Sequence, residues 1–388
     1  MRLEMNKYLI IAAFVSAFAF AACEKLLLNP EGNRSPLPVQ HQSRLASILD
    51  SLRYTLDVPA IAGAIVTDTG VVEARAVGCR RYGGPMNVTD NDQFHLGSCG
   101  KAFTSVLMAV LVDEGKVKWA TTLPEIFPEY AGAMRPEYRD ITIRQILSHS
   151  AGLMRDPKGI NLKSIEAKSQ RLEVLEWALR QAPVLPAGKY LYSNLGYIMA
   201  GAIIEKLTNS TYEELIISRV TKPLGITTAG IGGPMGTLNL EDQPLQHTCN
   251  HAPVTATSDA CLSAIYNPAG GLYMSIGDWG KFVQWTLKAA AGEQTLLKSE
   301  TAREIISPVV SDGYGGYYGL GWGVSNQEWA GGKALSHSGS NALNYSTVLI
   351  SVPKKFGIIV MTNQGAAGED WPIGPVFARL LDYHLNKR

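Results

Sequence analysis

The stretch that decides how this chain is read is Phe94-His95-Leu96-Gly97-Ser98-Cys99-Gly100-Lys101. It carries an S-x-x-K pattern at the point where an apolar-rich helix is expected over 98–114. Residues three apart on a helix share a face, so the Lys101 amine can reach the Ser98 hydroxyl. A serine hydroxyl is a poor nucleophile until something accepts its proton. A lysine among apolar neighbours is pushed toward its neutral form and can do so. The helix start also favours developing negative charge. Taken alone the pattern is weak, because a surface serine beside a solvated lysine reads the same way.

Two further motifs lie downstream. Tyr192-Ser193-Asn194 sits between Pro186-Ala187-Gly188 and a helix expected over 195–207. A tyrosinate held by cations is a feasible general base, and the Asn194 amide can orient Lys101 or a substrate. His337-Ser338-Gly339, followed by Ser340, closes an expected strand. An edge strand beside the serine could pair with an extended substrate, and its backbone N–H could help form an oxyanion hole.

Other chemistries fit less well. Leu96 stands where a G-x-S-x-G elbow would need its first glycine, and no H-E-x-x-H occurs. His247, Cys249 and His251 form an H-x-C-x-H cluster that could take a metal with Cys261. The spacing is short, and a Cys249–Cys261 disulfide ranks above it. No metal or cofactor is expected. Cys99 reads as a buried, inert thiol.

Around these motifs the chain is ordinary in composition. It has 388 residues, 46% hydrophobic and 18% charged, with a formal net charge of +1. That balance suits a globular protein with a well-buried core. No run of Lys or Arg exceeds two, so nucleic acid and acidic membrane surfaces are not expected partners. The first 22 residues read as a signal peptide: Arg2 and Lys7 precede an apolar run from Tyr8 to Ala22, followed by Cys23. Ala21-Ala22-Cys23 resembles a lipoprotein junction, with Cys23 as the lipidated N-terminus, and this route is favoured. Cleavage after Ala19-Phe20-Ala21 is the alternative. Either way an exported, cell-envelope or periplasmic protein is expected, touching membrane only through that anchor. Residues 24–38 read as a Pro/Gly tether.

The remainder, 39–388, is expected to be one α+β domain. A helix with Leu45, Ile48, Leu49 and Leu52 on one face leads into a hairpin over 60–67 and 71–78. Strands follow near 333–338, 345–352 and 356–363, and a last helix lines up Ile373, Val376, Phe377, Leu380 and Leu381. Five antiparallel strands covered by helices would thus be built from about 39–95 and 290–388, with a helical insertion over about 96–289. Thr142 with Gln145 marks a helix start within the insertion, and 221–275 reads as irregular.

In order and spacing, the three motifs resemble those of the class C β-lactamase and penicillin-binding-protein family of serine hydrolases. The resemblance runs from about residue 40 to 385. It includes Leu147-Ser148-His149-Ser150-Ala151-Gly152-Leu153, Tyr192-Ser193-Asn194-Leu195-Gly196-Tyr197, Ala269-Gly270-Gly271-Leu272 and Gly319-Leu320-Gly321-Trp322. The Tyr of the second motif points to the class C branch, since the class A trio has S-D-N there. The resemblance implies a five-stranded sheet with a helical subdomain, Ser98 as nucleophile and Lys101 as its activating partner. It implies Tyr192 as general base and acid, Asn194 at the substrate amide, and Ser98 and Ser340 N–H groups as oxyanion hole. His149 and Ser150 would be structural. Where class C β-lactamases have Lys-Thr-Gly, this chain has His337-Ser338-Gly339, and an imidazole is mostly neutral at pH 7. That pattern resembles some D,D-peptidases and many esterases of the family. The expected activity is therefore ester or amide hydrolysis on a small-molecule or peptide-like substrate, with β-lactam hydrolysis ranked third. The alternative is a non-hydrolytic cell-envelope module that binds peptide-like ligands in the same pocket.

Overall fold

The computed structural model describes residues 43–232, 242–254, 262–365 and 373–386. The expected signal peptide, Cys23, the tether and Cys261 lie outside the described residues, and so does the Cys249–Cys261 pairing. Among the described residues no helix is long and apolar enough to cross a membrane.

Helix α1 (Arg44–Leu56) begins at Ser43, whose hydroxyl accepts from Ala46 N at 3.2 Å. It ends at Asp57 in the left-handed region. Its Leu45 and Leu49 are buried, as the stripe requires. Strands β1 (Ala60–Thr67) and β2 (Gly70–Gly78) form the expected hairpin. The chain then leaves the sheet and returns as β3 (Val310–Ser311), β4 (Tyr317–Tyr318), β5 (Gly323–Gln327), β6 (Gly332–Ser340), β7 (Tyr345–Ser351) and β8 (Phe356–Thr362). The order across the sheet is β2-β1-β8-β7-β6-β5-β4-β3, antiparallel throughout.

Among the described residues the sheet therefore has eight strands and not five. The five expected ones sit together at β2-β1-β8-β7-β6. The other three are two to five residues long and rich in Gly, Ser and Tyr, so they carry no alternation for a sequence reading to find. This changes the status of β6. It is not an edge strand over Gly332–Ser336, because β5 pairs with it from Gln327↔Gly332 to Gly323↔Ser336. The pairing stops there, so edge character is confined to His337–Ser340, the third motif itself.

β1 and β8 are buried on both faces, which explains their nearly unbroken apolar sequences. Ala60, Ala62, Ala64 and Val66 join the larger core, while Ile61 and Ile65 face a second cluster. That second cluster includes Val376, Phe377, Leu380 and Leu381 of helix α5, which spans Ile373–Leu385. On the other face, helix α4 (Ile276–Ala290) packs on β1, β2 and β8. One sheet-covering helix thus begins inside the segment 96–289.

That segment holds the site. Helix α2 (Gly100–Asp113) is buried from Gly100 to Leu111. Helix α3 (Asn194–Thr208) is buried from Leu195 to Glu205. The Thr142 capping box is present, with Gln145 N donating to Thr142 Oγ1 at 3.3 Å and Thr142 N to Gln145 Oε1 at 3.0 Å. The stretch 221–275 is not wholly irregular. Leu272–Ser275 pairs with Gln93–His95, and Asn267–Gly270 makes a helical turn.

Candidate active site

Ser98 lies in a single 3-10 turn, Gly97–Cys99, just before α2 rather than inside it. Ser98 still stands three residues before Lys101 at the start of α2, so the expected alignment is kept. From Phe94 to Leu111 Ser98 is the one residue that is not buried. The turn is pinned twice. His95 Nδ1 accepts from Gly97 N at 3.0 Å, and the end of β6 packs flat against it. Gly97 is left-handed (φ 51°), and a Cβ there would stand 2.6 Å from Ser340 N. A Cβ on Gly339 would stand 2.7 Å from Ser98 N. Only side-chain-free positions allow this approach, which brings the Ser98 and Ser340 amides to one place.

Lys101 is fully buried. Its Nζ lies 3.0 Å from Ser98 Oγ, 2.8 Å from Asn194 Oδ1 and 2.6 Å from the carbonyl oxygen of Ala269. Burial pushes the amine well below the ordinary lysine range; Asp156 opposes that shift and Arg155 adds to it. Tyr192, two residues before α3, hydrogen-bonds Ser98 through its hydroxyl. Lys101 Nζ lies 4.9 Å and Arg155 Cζ 5.7 Å from the centre of the Tyr192 ring. Burial pushes the Tyr192 phenol well above its usual value, with the Ser98 hydrogen bond opposing. The two directions together favour the proton on the phenol and the neutral form of the Lys101 amine. A neutral amine has two N–H donors for Asn194 and Ala269 and a lone pair for the Ser98 hydroxyl.

Asn194 begins α3, behind the cap Ser193, whose hydroxyl accepts from Gly196 N and donates to Met154 O at 2.6 Å. Its Nδ2 donates to Asp156 Oδ1 at 2.9 Å, so one of the two amide protons expected at a substrate is already engaged.

His337 does not present an open ring to the cleft. It is buried, its Nδ1 lies 2.8 Å from the Ser338 carbonyl oxygen, and its Nε2 lies 2.9 Å from the Tyr318 hydroxyl. A carbonyl only accepts, so Nδ1 carries the proton and Tyr318 donates to Nε2. Burial, with Lys101 adding, pulls the imidazole down to about 3. Ser338 Oγ lies 3.2 Å from Thr347 Oγ1, and Ser340 is exposed, its hydroxyl accepting from Ala342 N at 3.0 Å.

His149 is buried in the wall of the site, left-handed at φ 60°. Its Nδ1 accepts from Ser193 N at 3.0 Å and its ring lies 4.2 Å from that of Tyr192. Cys99 is buried against β6 and β7, its thiol pushed up to about 12 by burial. His247 is unavailable to a metal: Tyr82 N donates to its Nε2 at 3.1 Å, and its Nδ1 lies 2.9 Å from Asn363 O.

Three contributors were not legible as such. Asp156 lies in an undistinguished loop, Tyr318 on a two-residue strand, and the Ala269 carbonyl in a stretch read as irregular. Only the phrase Ala269-Gly270-Gly271-Leu272 marked the last.

A family model described as Beta-lactamase matches residues 45–382. Penicillin-binding protein 4 of Amycolatopsis lactamdurans is 24% identical over 331 residues, covering 82% of this chain and 84% of that protein. Protein flp of Staphylococcus aureus is 20% identical over 328 residues, 83% of this chain but 63% of that relative's length. Among solved structures, D-alanine carboxypeptidase AmpC from Burkholderia cenocepacia superposes with a TM-score of 0.69 at 19% identity, covering 86% of this chain and 96% of that one.

Proposed function

The chain belongs to the beta-lactamase family of serine hydrolases, and from that premise we propose that it is an exported hydrolase of esters or amides acting through an acyl-enzyme at Ser98. The observation that carries this reading is the 3.0 Å approach of the fully buried Lys101, through its Nζ, to Ser98 Oγ. A lysine with no catalytic task has no physical reason to sit there.

The chemistry follows from the geometry. As Ser98 Oγ attacks the carbonyl carbon, its proton passes to the neutral amine of Lys101. The ammonium so formed is held by Asn194 Oδ1 and Ala269 O. The carbonyl oxygen becomes an oxyanion between the N–H groups of Ser98 and Ser340. When the tetrahedral species collapses, Tyr192 gives its phenolic proton to the leaving alcohol or amine. The proton that Lys101 took from Ser98 then neutralises the Tyr192 phenolate, so both groups regain their starting states. Water then attacks the acyl-serine by the same steps reversed. Tyr192 thus acts chiefly as proton donor in acylation, and Lys101 as base.

The short, neutral His337 environment favours uncharged esters over substrates that need a fixed cation at the third motif. Export rests on Arg2–Cys23, with either a lipid anchor at Cys23 or cleavage after Ala21. Intact-mass analysis after incubation with a fluorophosphonate tests the main reading. A single adduct mapped to Ser98 and lost in Ser98→Ala is expected. Folded protein that gains no adduct leaves the ligand-binding module as the better account.

A further inference from the structure

Among the described residues, Asn194 is the side chain that hydrogen-bonds Lys101 and could face it either way round. Its amide oxygen and nitrogen are alike in shape, and turning the amide over would set an N–H₂ group against the lysine amine. What fixes the orientation is on the other side. Asp156 Oδ1 lies 2.9 Å from Asn194 Nδ2, and a carboxylate only accepts. Arg155 Nε holds the second oxygen of Asp156 at 3.2 Å, and the Tyr266 hydroxyl also bonds Asp156. The backbone agrees, because Leu195 N donates to Arg155 O at 3.0 Å. A continuous chain thus runs from the half-exposed Arg155–Asp156 pair through Asn194 to Lys101 and Ser98.

We infer that Asp156 is the positioning residue of this site: it turns the Asn194 oxygen toward Lys101 and supplies the negative charge that sets how readily Lys101 takes the Ser98 proton. The inference rests on the hydrolase reading above and adds to it a determinant of the working pH. The groups facing Lys101 are the phenols of Tyr192 and Tyr197, the Cys99 thiol, the imidazoles of His149 and His337, and the Arg155–Asp156 pair. Burial keeps the thiol, both phenols and both imidazoles neutral near pH 7. The charges that act on Lys101 there are those of Asp156 and Arg155, and of the two Asp156 is the one that favours the protonated amine. As an ion pair with a half-exposed arginine, Asp156 would contribute little to stability.

The test is the rate of fluorophosphonate addition to Ser98, followed by intact mass from pH 5 to 10, in wild type, Asp156→Asn, Asp156→Ala and Asp156→Glu. Asp156→Asn keeps an acceptor for Asn194 but removes the charge. Lys101 then loses its proton more easily, and the acid limb moves to lower pH by on the order of one unit. Asp156→Ala also frees the amide and lowers the plateau rate tenfold or more, while Asp156→Glu restores the wild-type limb. A residue that merely braced the loop would change the plateau and leave the limb in place. An Asp156→Asn profile that overlays wild type overturns the inference, even with Ser98 fully reactive. If wild-type Ser98 takes no adduct, the hydrolase reading falls and this inference with it. Should Asp156→Ala fail to fold, Asp156→Asn and Asp156→Glu decide the matter alone.

Discussion

The hydroxyl of Tyr318 caps the Nε2 atom of His337 at 2.9 Å, while the Ser338 carbonyl takes the proton on its Nδ1. Both nitrogens of the third-motif histidine are therefore committed to the protein, in a slot where an added proton is strongly disfavoured.

This arrangement sets substrate preference. A charge-assisted hydrogen bond to a carboxylate contributes about 1.5–3 kcal/mol, or one to two decades in kcat/KM. Short-chain p-nitrophenyl esters should accordingly be turned over at least tenfold better than a chromogenic cephalosporin. His337→Lys should shift the ratio toward the cephalosporin and lower the melting temperature, since its ammonium would be desolvated next to Lys101. A wild-type cephalosporin kcat/KM near ~10⁶ M⁻¹s⁻¹, within the efficient-enzyme range, would contradict the role given to His337.

Lys101 and Tyr192 share one oxygen, that of Ser98. Lys101→Met, which keeps the buried volume, and Tyr192→Phe should each reduce kcat by about 10²–10⁴. Their combination should cost little more than either alone, because the groups act as a unit. With the Lys101 amine pushed down by burial, the acid limb of kcat/KM for a neutral ester should lie well below 10.5, its ordinary value. Rates within threefold of wild type in Tyr192→Phe would remove its assigned part.

Acid should unfold this protein early. His95 and His247 are pulled down to about 4 and His337 to about 3, all mainly by burial. The unfolded chain protonates these residues near pH 6.5, and the fold cannot. The stability tied to their neutral forms is thus whole above pH 6.5 and is lost as pH falls toward 4 and then 3. By pH 5 the loss is about 2 kcal/mol for each histidine, against a typical total of about 5–15 kcal/mol. Thermal unfolding at pH 7 and pH 5 checks this. Midpoints that agree within about 2 °C would show that these imidazoles are protonated in the fold.

The parts that were legible in the sequence are those with a period or a fixed spacing. Leu45 and Leu49 announced α1, the apolar runs of β1 and β8 announced a covered sheet, and the i, i+3 spacing placed Lys101 against Ser98. What escaped was short or tertiary. Tyr317–Tyr318 has too few residues to alternate, so the strand that locks His337 was invisible. Asp156 acts through a neighbour 38 positions away, and no local pattern encodes that distance. Ser98 fell in a 3-10 turn because Gly97 and Gly339 press the chain against β6, a contact across 242 residues.

That contact also has a temporal meaning. Gly97 and Gly339 meet only after the stretch before α2 has come against the last residues of β6, and the Ala269 carbonyl arrives from a third part of the chain. Long-range closures of this kind are slow steps in assembly. A chain in which helices have formed but β6 has not docked holds an ordinary, unreactive serine. During refolding from denaturant, reactivity at Ser98 should therefore return after the far-ultraviolet signal does, which makes the nucleophile a reporter of finished assembly.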